Sequence, residues 1–170
     1  LSKTQTLEVR IPYGGFNTVE GFYGIYRLRY VQRWVKRDTL HPEKAPQVTR
    51  LELMPVLRYS FARERFYPMM EATFINPRNR LVVEGGRFVQ QLNPNDPIHP
   101  MVNTLSSLLT GINYLKLLER DFVELKWRHR FNDQVVGVFK GSWNDRKPLM
   151  NNSAYTFFEN LKDQIGRAHV

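Results

Sequence analysis

Apolar and polar residues alternate with a period of two along much of the chain. From Phe22 to Trp34 one side reads Phe22, Gly24, Tyr26, Leu28, Tyr30, Gln32, Trp34, and the other reads Tyr23, Ile25, Arg27, Arg29, Val31, Arg33. Alternation sustained this long marks a β-strand, because side chains of a strand point to opposite faces. A second run sets Leu51, Leu53, Pro55, Leu57, Tyr59 and Phe61 against Glu52, Met54, Val56, Arg58 and Ser60. A third sets Val123, Leu125, Trp127, His129 and Phe131 against Glu124, Lys126, Arg128 and Arg130. The pattern predicts antiparallel strands near 20–36, 48–62, 66–76, 80–92, 121–132, 135–144 and 153–160.

Turn residues punctuate these runs. Asn76-Pro77-Arg78-Asn79 and Asn132-Asp133-Gln134 join neighbouring strands, since Asn and Asp satisfy turn backbone with their own side chains. Prolines at 42 and 46, and at 94, 97 and 100, mark two longer loops. Pro55 within a strand pattern predicts a bulge or irregularity. One segment breaks the period: Leu105, Leu108, Leu109, Ile112 and Leu115 recur at helical spacing, with Pro100 and Asn103 as start signals. A short amphipathic helix is expected near 101–118. The fold class is all-β, an antiparallel meander with this one helix.

Composition narrows the classes. Thirteen per cent aromatic and 42% hydrophobic residues exclude a disordered chain. With 0 Cys there is no disulfide framework and no thiolate metal site. The net charge of +9 points to an anionic partner or to a polar face rich in cations. No catalytic constellation stands out. His41, His99, His129 and His169 lack H-E-x-x-H or H-x-x-x-H spacing. Ser106 and Ser107 lack a G-x-S-x-G elbow, and Gly85-Gly86 lacks phosphate-loop spacing. Neither catalysis nor a cofactor or metal is expected.

Two architectures share this alternation. A soluble sandwich buries one face and solvates the other. A transmembrane β-barrel turns its apolar face to lipid and its polar face to a wet lumen. The run from Phe22 to Val35 exceeds the usual strand of ~5–6 residues and meets the ~9–11 needed to cross a bilayer obliquely. Trp34, Tyr59, Phe61, Phe131 and Trp143 lie near strand ends, as aromatic girdles do.

Specific strings add a resemblance. Asn17 to Phe22 (NTVEGF) is followed by Arg58 to Phe61 (RYSF), Arg65 to Pro68 (RFYP) and Phe74 to Pro77 (FINP). Glu84-Gly85-Gly86, Gln91-Leu92-Asn93, Pro97-Ile98, Asn103-Thr104-Leu105, Asn113-Tyr114, Lys116-Leu117 and Trp143 to Leu149 (WNDRKPL) come after. In this order they resemble the barrel region of Gram-negative outer-membrane proteins classed as a domain of unknown function. Members of that family are similar in carrying a signal peptide and a small carboxypeptidase-regulatory-like domain before a long C-terminal barrel. The resemblance implies that residues 1–164 are part of such a barrel. Ile165 to Val170 matches a reading frame of a common sequencing adapter and is expected to be an artefact.

The expected role is a segment of an outer-membrane barrel serving transport, assembly or envelope maintenance, with the Gram-negative outer membrane as its location. Its partners would be membrane lipid and the remaining strands of the same chain, with no nucleic acid and an unspecified cargo. The alternative is a soluble β-rich module with a basic face for nucleic acid or an anionic ligand. In the membrane reading Leu28, Leu53, Leu57, Leu125, Trp127 and Phe139 face lipid. Arg29, Glu52, Arg58, Glu124, Lys126, Arg128 and Lys140 face the lumen. Leu53→Arg is then expected to damage assembly and Arg58→Leu to be tolerated. Glu20 is expected to need a lumenal Arg partner. Gly21, Gly24, Gly85 and Gly86 are expected to mark bends or close backbone approaches.

Overall fold

A computed structural model of the chain describes residues 2–41, 43–92, 98–110 and 112–150. Eight strands form one antiparallel sheet: β1 (Ser2–Val9), β2 (Tyr13–Asn17), β3 (Gly21–Lys36), β4 (Gln47–Ser60), β5 (Arg65–Ile75), β6 (Asn79–Gln91), β7 (Leu117–Arg130) and β8 (Val136–Pro148). Among the described residues one helix, α1 (Pro100–Thr110), lies between β6 and β7. From β3 to β8 each strand pairs with the next in sequence. β1 covers the second half of β3 and β2 the first half, so the two act as one edge strand interrupted at Pro12. The sheet is open, and no pairing joins β1 to β8. Strands of 16, 14 and 14 residues in β3, β4 and β7 are far longer than a soluble sandwich requires.

Among the described residues the expected strands appear within two residues of their predicted limits, except β7 and β8; β8 runs to Pro148, four residues beyond the expected 144, opposite the early start of β7. β7 is extended at its start. It begins four residues before the expected 121, because α1 ends at Thr110 rather than near 118. Hydroxyls close the helix early: Thr110 donates to the Ser106 carbonyl (2.8 Å), and Ser106 and Ser107 donate to the Ile112 carbonyl (3.1 and 3.3 Å). Side-chain bonds of this kind satisfy carbonyls that a further helical turn would otherwise take. Asn103 is not the start signal. It is fully buried, donates to Ser107 and accepts the Tyr114 amide, which ties the chain after the helix back against it. α1 buries Asn103 and Ser107 and exposes Met101, Val102, Leu105 and Leu109, the reverse of a core helix. β1 and β2 have no counterpart among the expected strands. The expected strand at 153–160 and the segment 165–170 lie outside the described residues.

Pro55 interrupts the β3–β4 ladder without a bulge. Arg27 pairs with Val56 and Tyr30 with Leu53, so the register is the same on both sides of the gap. The missing N–H of proline accounts for the gap. The turns at one end are held by Asn side chains. Asn76 accepts the Arg78 and Asn79 amides (3.0 and 2.7 Å), and Asn132 accepts those of Gln134 and Val135 (3.0 and 2.7 Å). The opposite end carries the β2–β3 turn, the β4–β5 turn and α1. There Val19, Tyr67, Val89, Leu115 and Leu117 form a buried cluster.

Two glycines combine a positive φ with a close approach. Gly21 has φ +66°, and a Cβ there would lie 2.7 Å from the Ala62 Cβ. Gly86 has φ +141°, and a Cβ would lie 2.4 Å from the Pro68 carbonyl oxygen. Gly24 has open space around it. Gly21→Ala is therefore expected to lower stability by about 1–3 kcal/mol, while Gly24→Ala stays within about 0.5 kcal/mol. Urea unfolding of the two variants checks this, and equal midpoints would contradict it.

Candidate functional site

Residues directly opposite in an antiparallel pair share a face, so the register sorts the whole sheet. One unbroken row runs Leu7, Tyr30, Leu53, Ala72, Val83, Leu125, Gly141 from β1 to β8. Leu28 pairs with Val9, Leu57 with Tyr26, and Trp127 with both Leu81 and Phe139. By alternation all six predicted lipid-side residues, Leu28, Leu53, Leu57, Leu125, Trp127 and Phe139, share this face. The adjacent rows lie on the other face. Glu8 pairs with Arg29, Glu52 with Val31 and Thr73, and Val82 with Lys126, which pairs in turn with Lys140. Arg29, Glu52, Arg58, Glu124, Lys126, Arg128 and Lys140 therefore share the polar face.

The apolar face is open to its surroundings. Phe22, Phe66, Val123, Trp127, Phe139 and Trp143 are each more than two-fifths exposed. A continuous exposed apolar surface of this kind marks an interface with lipid or protein. Rings cluster toward the strand ends. Phe16 packs edge-on against Phe22 and Tyr59 against Phe61, with centroids 5.0 Å apart in each pair. At the other end Trp127, His129 and Phe131 pack in sequence, tilted at 5.8 Å and then edge-on at 4.6 Å.

The polar face holds two ion-pair networks. Arg29 donates to Glu52 (2.5 Å) and to Glu8 (3.0 Å), and Arg50 reaches the second Glu52 oxygen (3.2 Å). Glu124 accepts from Arg120 and Lys126, the latter at 3.3 Å. Glu71, Glu84 and Glu124 lie in register across β5, β6 and β7. Open grooves run along this face. One is lined by Arg27, Arg29, Met54, Val56 and Glu71, and another by Thr4, Thr6, Arg33, Arg50 and Ile75.

The expected partner of Glu20 is Arg58. Glu20 is fully buried in the β2–β3 turn, and both its carboxylate oxygens accept from the Arg58 guanidinium. Asn17 orders the turn: its amide donates to Glu20 (2.9 Å), and its oxygen accepts the Val19 and Glu20 amides (3.0 and 2.8 Å). Ser60 donates to the Glu20 carbonyl (3.0 Å). Arg58 lies over the Tyr23 ring at 4.3 Å and near the Phe88 ring at 5.6 Å, so β4 reaches β6 across the polar face. The strings NTVEGF and RYSF thus meet in one buried ion pair. This changes the expectation for Arg58→Leu, because that substitution strands the Glu20 carboxylate.

The remaining chemistry-bearing residues have structural duties. His129 and Trp127 share the Asn79 side-chain oxygen (2.7 and 3.2 Å). His99 accepts the Met101 amide at the start of α1, and His41 sits beside Glu43 in an exposed loop. Among the described residues no group of three His, Asp or Glu could hold a metal ion. None of their helices is long and apolar enough to cross a membrane.

Glu20→Gln is expected to cost about 3–5 kcal/mol by leaving Arg58 buried and uncompensated. Glu20→Gln combined with Arg58→Met should recover part of that loss. Unfolding midpoints of the single and double variants measure the coupling, and strict additivity would contradict the pairing.

No curated protein and no solved structure matches the chain. Residues 2–167 match the family described as "Family of unknown function (DUF5686) C-terminal domain". The match covers every described element, including the turn, ion pair and two-faced sheet set out above, and the chain therefore belongs to the DUF5686 C-terminal domain family.

Proposed function

We propose that this chain is part of a β-barrel of the Gram-negative outer membrane, with a transport, assembly or envelope-maintenance role that involves no catalysis. Leu28, Leu53, Leu57, Leu125, Trp127 and Phe139 meet lipid, and the polar face lines a water-filled lumen. The carrying observation is the slope of the apolar band across the sheet. On β3 the band starts at Phe22, eight residues before Tyr30 in the Leu7–Gly141 row. On β7 it starts at Val123, two residues before Leu125 in the same row, and the next position of that alternation is Asp121. Between β3 and β7 the edge of the band moves by 8 − 2 = 6 residues. At ~3.4 Å per residue this is about 20 Å along the strand, against about 19 Å across four strand spacings. The resulting slope is about 45°, close to the ~35–45° tilt of strands in transmembrane barrels. A level bilayer crossing tilted strands leaves such a diagonal band, whereas a sandwich core has no reason to.

The rest of the reading follows from this placement. Further strands of the same chain would pair with the edges that β1 and β8 leave unpaired among the described residues and close the barrel, since long open edges invite aggregation. The resemblance also implies a carboxypeptidase-regulatory-like domain ahead of the barrel. The soluble nucleic-acid reading is disfavoured by the register. Arg29, Arg33 and Arg128 lie on the face opposite Tyr26, Tyr30 and Trp127, so these cations and these rings do not form one platform of the kind single-strand binders use.

Leu53→Arg places a cation against the acyl chains at a cost of about 2–4 kcal/mol near the midplane. It is expected to reduce folded barrel in outer-membrane fractions several-fold. Lys140→Leu, on the exposed polar face, should leave the yield near that of the unsubstituted protein. Heat-modifiable migration of the full-length protein on gels reads both, and equal damage would contradict the facing assignment.

A further inference from the structure

The polar face carries a row of arginines that the fold neutralises only in part. Arg33 pairs with Arg50, Arg50 with Ile75, Ile75 with Arg80, and Arg80 with Arg128. Four guanidinium side chains thus lie in one row from β3 to β7, about 19 Å long at ~4.8 Å per strand. Arg130 follows Arg128 on the same face, and Arg78 sits in the adjoining β5–β6 turn. Like charges directly opposite on neighbouring strands repel, and this row places two such pairs side by side. Glu52 lies two residues along the strands from this row, and Arg29 and Glu124 lie four; there Glu8 and Glu52 neutralise Arg29, and Glu124 engages Arg120 and Lys126. Among the described residues no carboxylate lies within ion-pair distance of Arg33, Arg80 or Arg128. Arg50 shares Glu52 with Arg29, and its buried Nε has no hydrogen-bond partner.

Open volume adjoins the row on both sides. A groove of about 540 Å³ is lined by Arg33, Arg50, Thr4 and Thr6, which offer donors beside the guanidiniums. A second, of about 280 Å³, is lined by Arg78, Arg80, Arg128 and Arg130. Planar guanidinium groups with free forks are suited to bidentate binding of phosphate oxygens. We propose that this row is a binding site for a multiply charged phosphate-bearing anion. Its phosphates would bridge the guanidiniums and cancel the repulsion along the row. The inference rests on the reading of the polar face as a wet lumen.

The test uses the full-length protein purified in detergent from outer-membrane fractions, with sodium tripolyphosphate as probe in calorimetric titration. The unsubstituted protein should bind, and raised salt should weaken binding. Arg80→Gln with Arg128→Gln should lower the affinity at least about tenfold, with heat-modifiable migration retained. Arg33→Gln alone, a milder change, should lower it to a smaller extent. Unchanged affinity in both variants, or no binding by the unsubstituted protein, overturns the proposal. Competition by dihexanoyl phosphatidic acid would identify a lipid headgroup as the source of the phosphate, and lack of competition a free anion. Failure of the barrel reading is separable, because the protein would then leave the outer-membrane fraction while arginine-dependent binding persisted.

Discussion

The structure depends on register. In an antiparallel sheet a one-residue slip between neighbours carries every side chain of the slipped strand to the opposite face. Here the row from Leu7 to Gly141 crosses seven strands without a slip. Even Pro55, which removes a ladder bond, leaves the register intact. The separation of Leu53 and Leu125 from Glu52 and Lys126 is a consequence of that continuity. A single slip at β5 would bring Glu71 and Thr73 among the exposed aromatics and undo both the apolar band and the ion-pair networks.

The two ends of the sheet are built differently. At one end the β2–β3 turn folds inward, and Glu20 is held by Arg58, Asn17 and Ser60. The cluster around Tyr67 and Val89, with α1 beside it, fills the same end. Irregular backbone there is satisfied by side chains such as Asn103 and Ser107, as buried polar groups require. At the other end short Asn-held turns leave the polar face open. From the filled end to the open one the polar face presents the buried Glu20–Arg58 pair, then the row Glu71–Glu84–Glu124, then the arginine row. In the proposed barrel this sequence forms a lumen occluded at one mouth and cationic at the other.

Much of the fold could be read from the sequence because β3, β4 and β7 alternate strongly enough to reveal their faces. The cross-strand register keeps Leu28, Leu53, Leu57, Leu125, Trp127 and Phe139 on one face and the seven charged residues on the other. β1 carries no alternation, because Ser2 to Thr6 is polar on both faces, and Pro12 divides the edge strand. The helix end was misplaced because Ile112 and Leu115 continue the helical spacing, while the hydroxyls of Ser106 and Thr110 stop the helix. The need of Glu20 for an Arg was legible from its charge, but the choice of Arg58 was not, since 38 residues separate them. The arginine row was invisible for the same reason: Arg33, Arg50, Arg80 and Arg128 come together only through pairings across five strands.

The central claim is that one face of this sheet meets lipid and the other meets water. This chain has 0 Cys, so single cysteines introduced along β4 would be its unique attachment sites for spin labels once any cysteine elsewhere in the full-length protein is replaced. Labels at positions 50 to 54 of the full-length protein in phospholipid vesicles would be exposed to oxygen, which partitions into lipid, and to a water-soluble nickel chelate. The account predicts accessibility alternating with a period of two, with oxygen dominant at 51 and 53 and the chelate dominant at 50, 52 and 54. Accessibility to the chelate at every position, or the opposite phase, would contradict it.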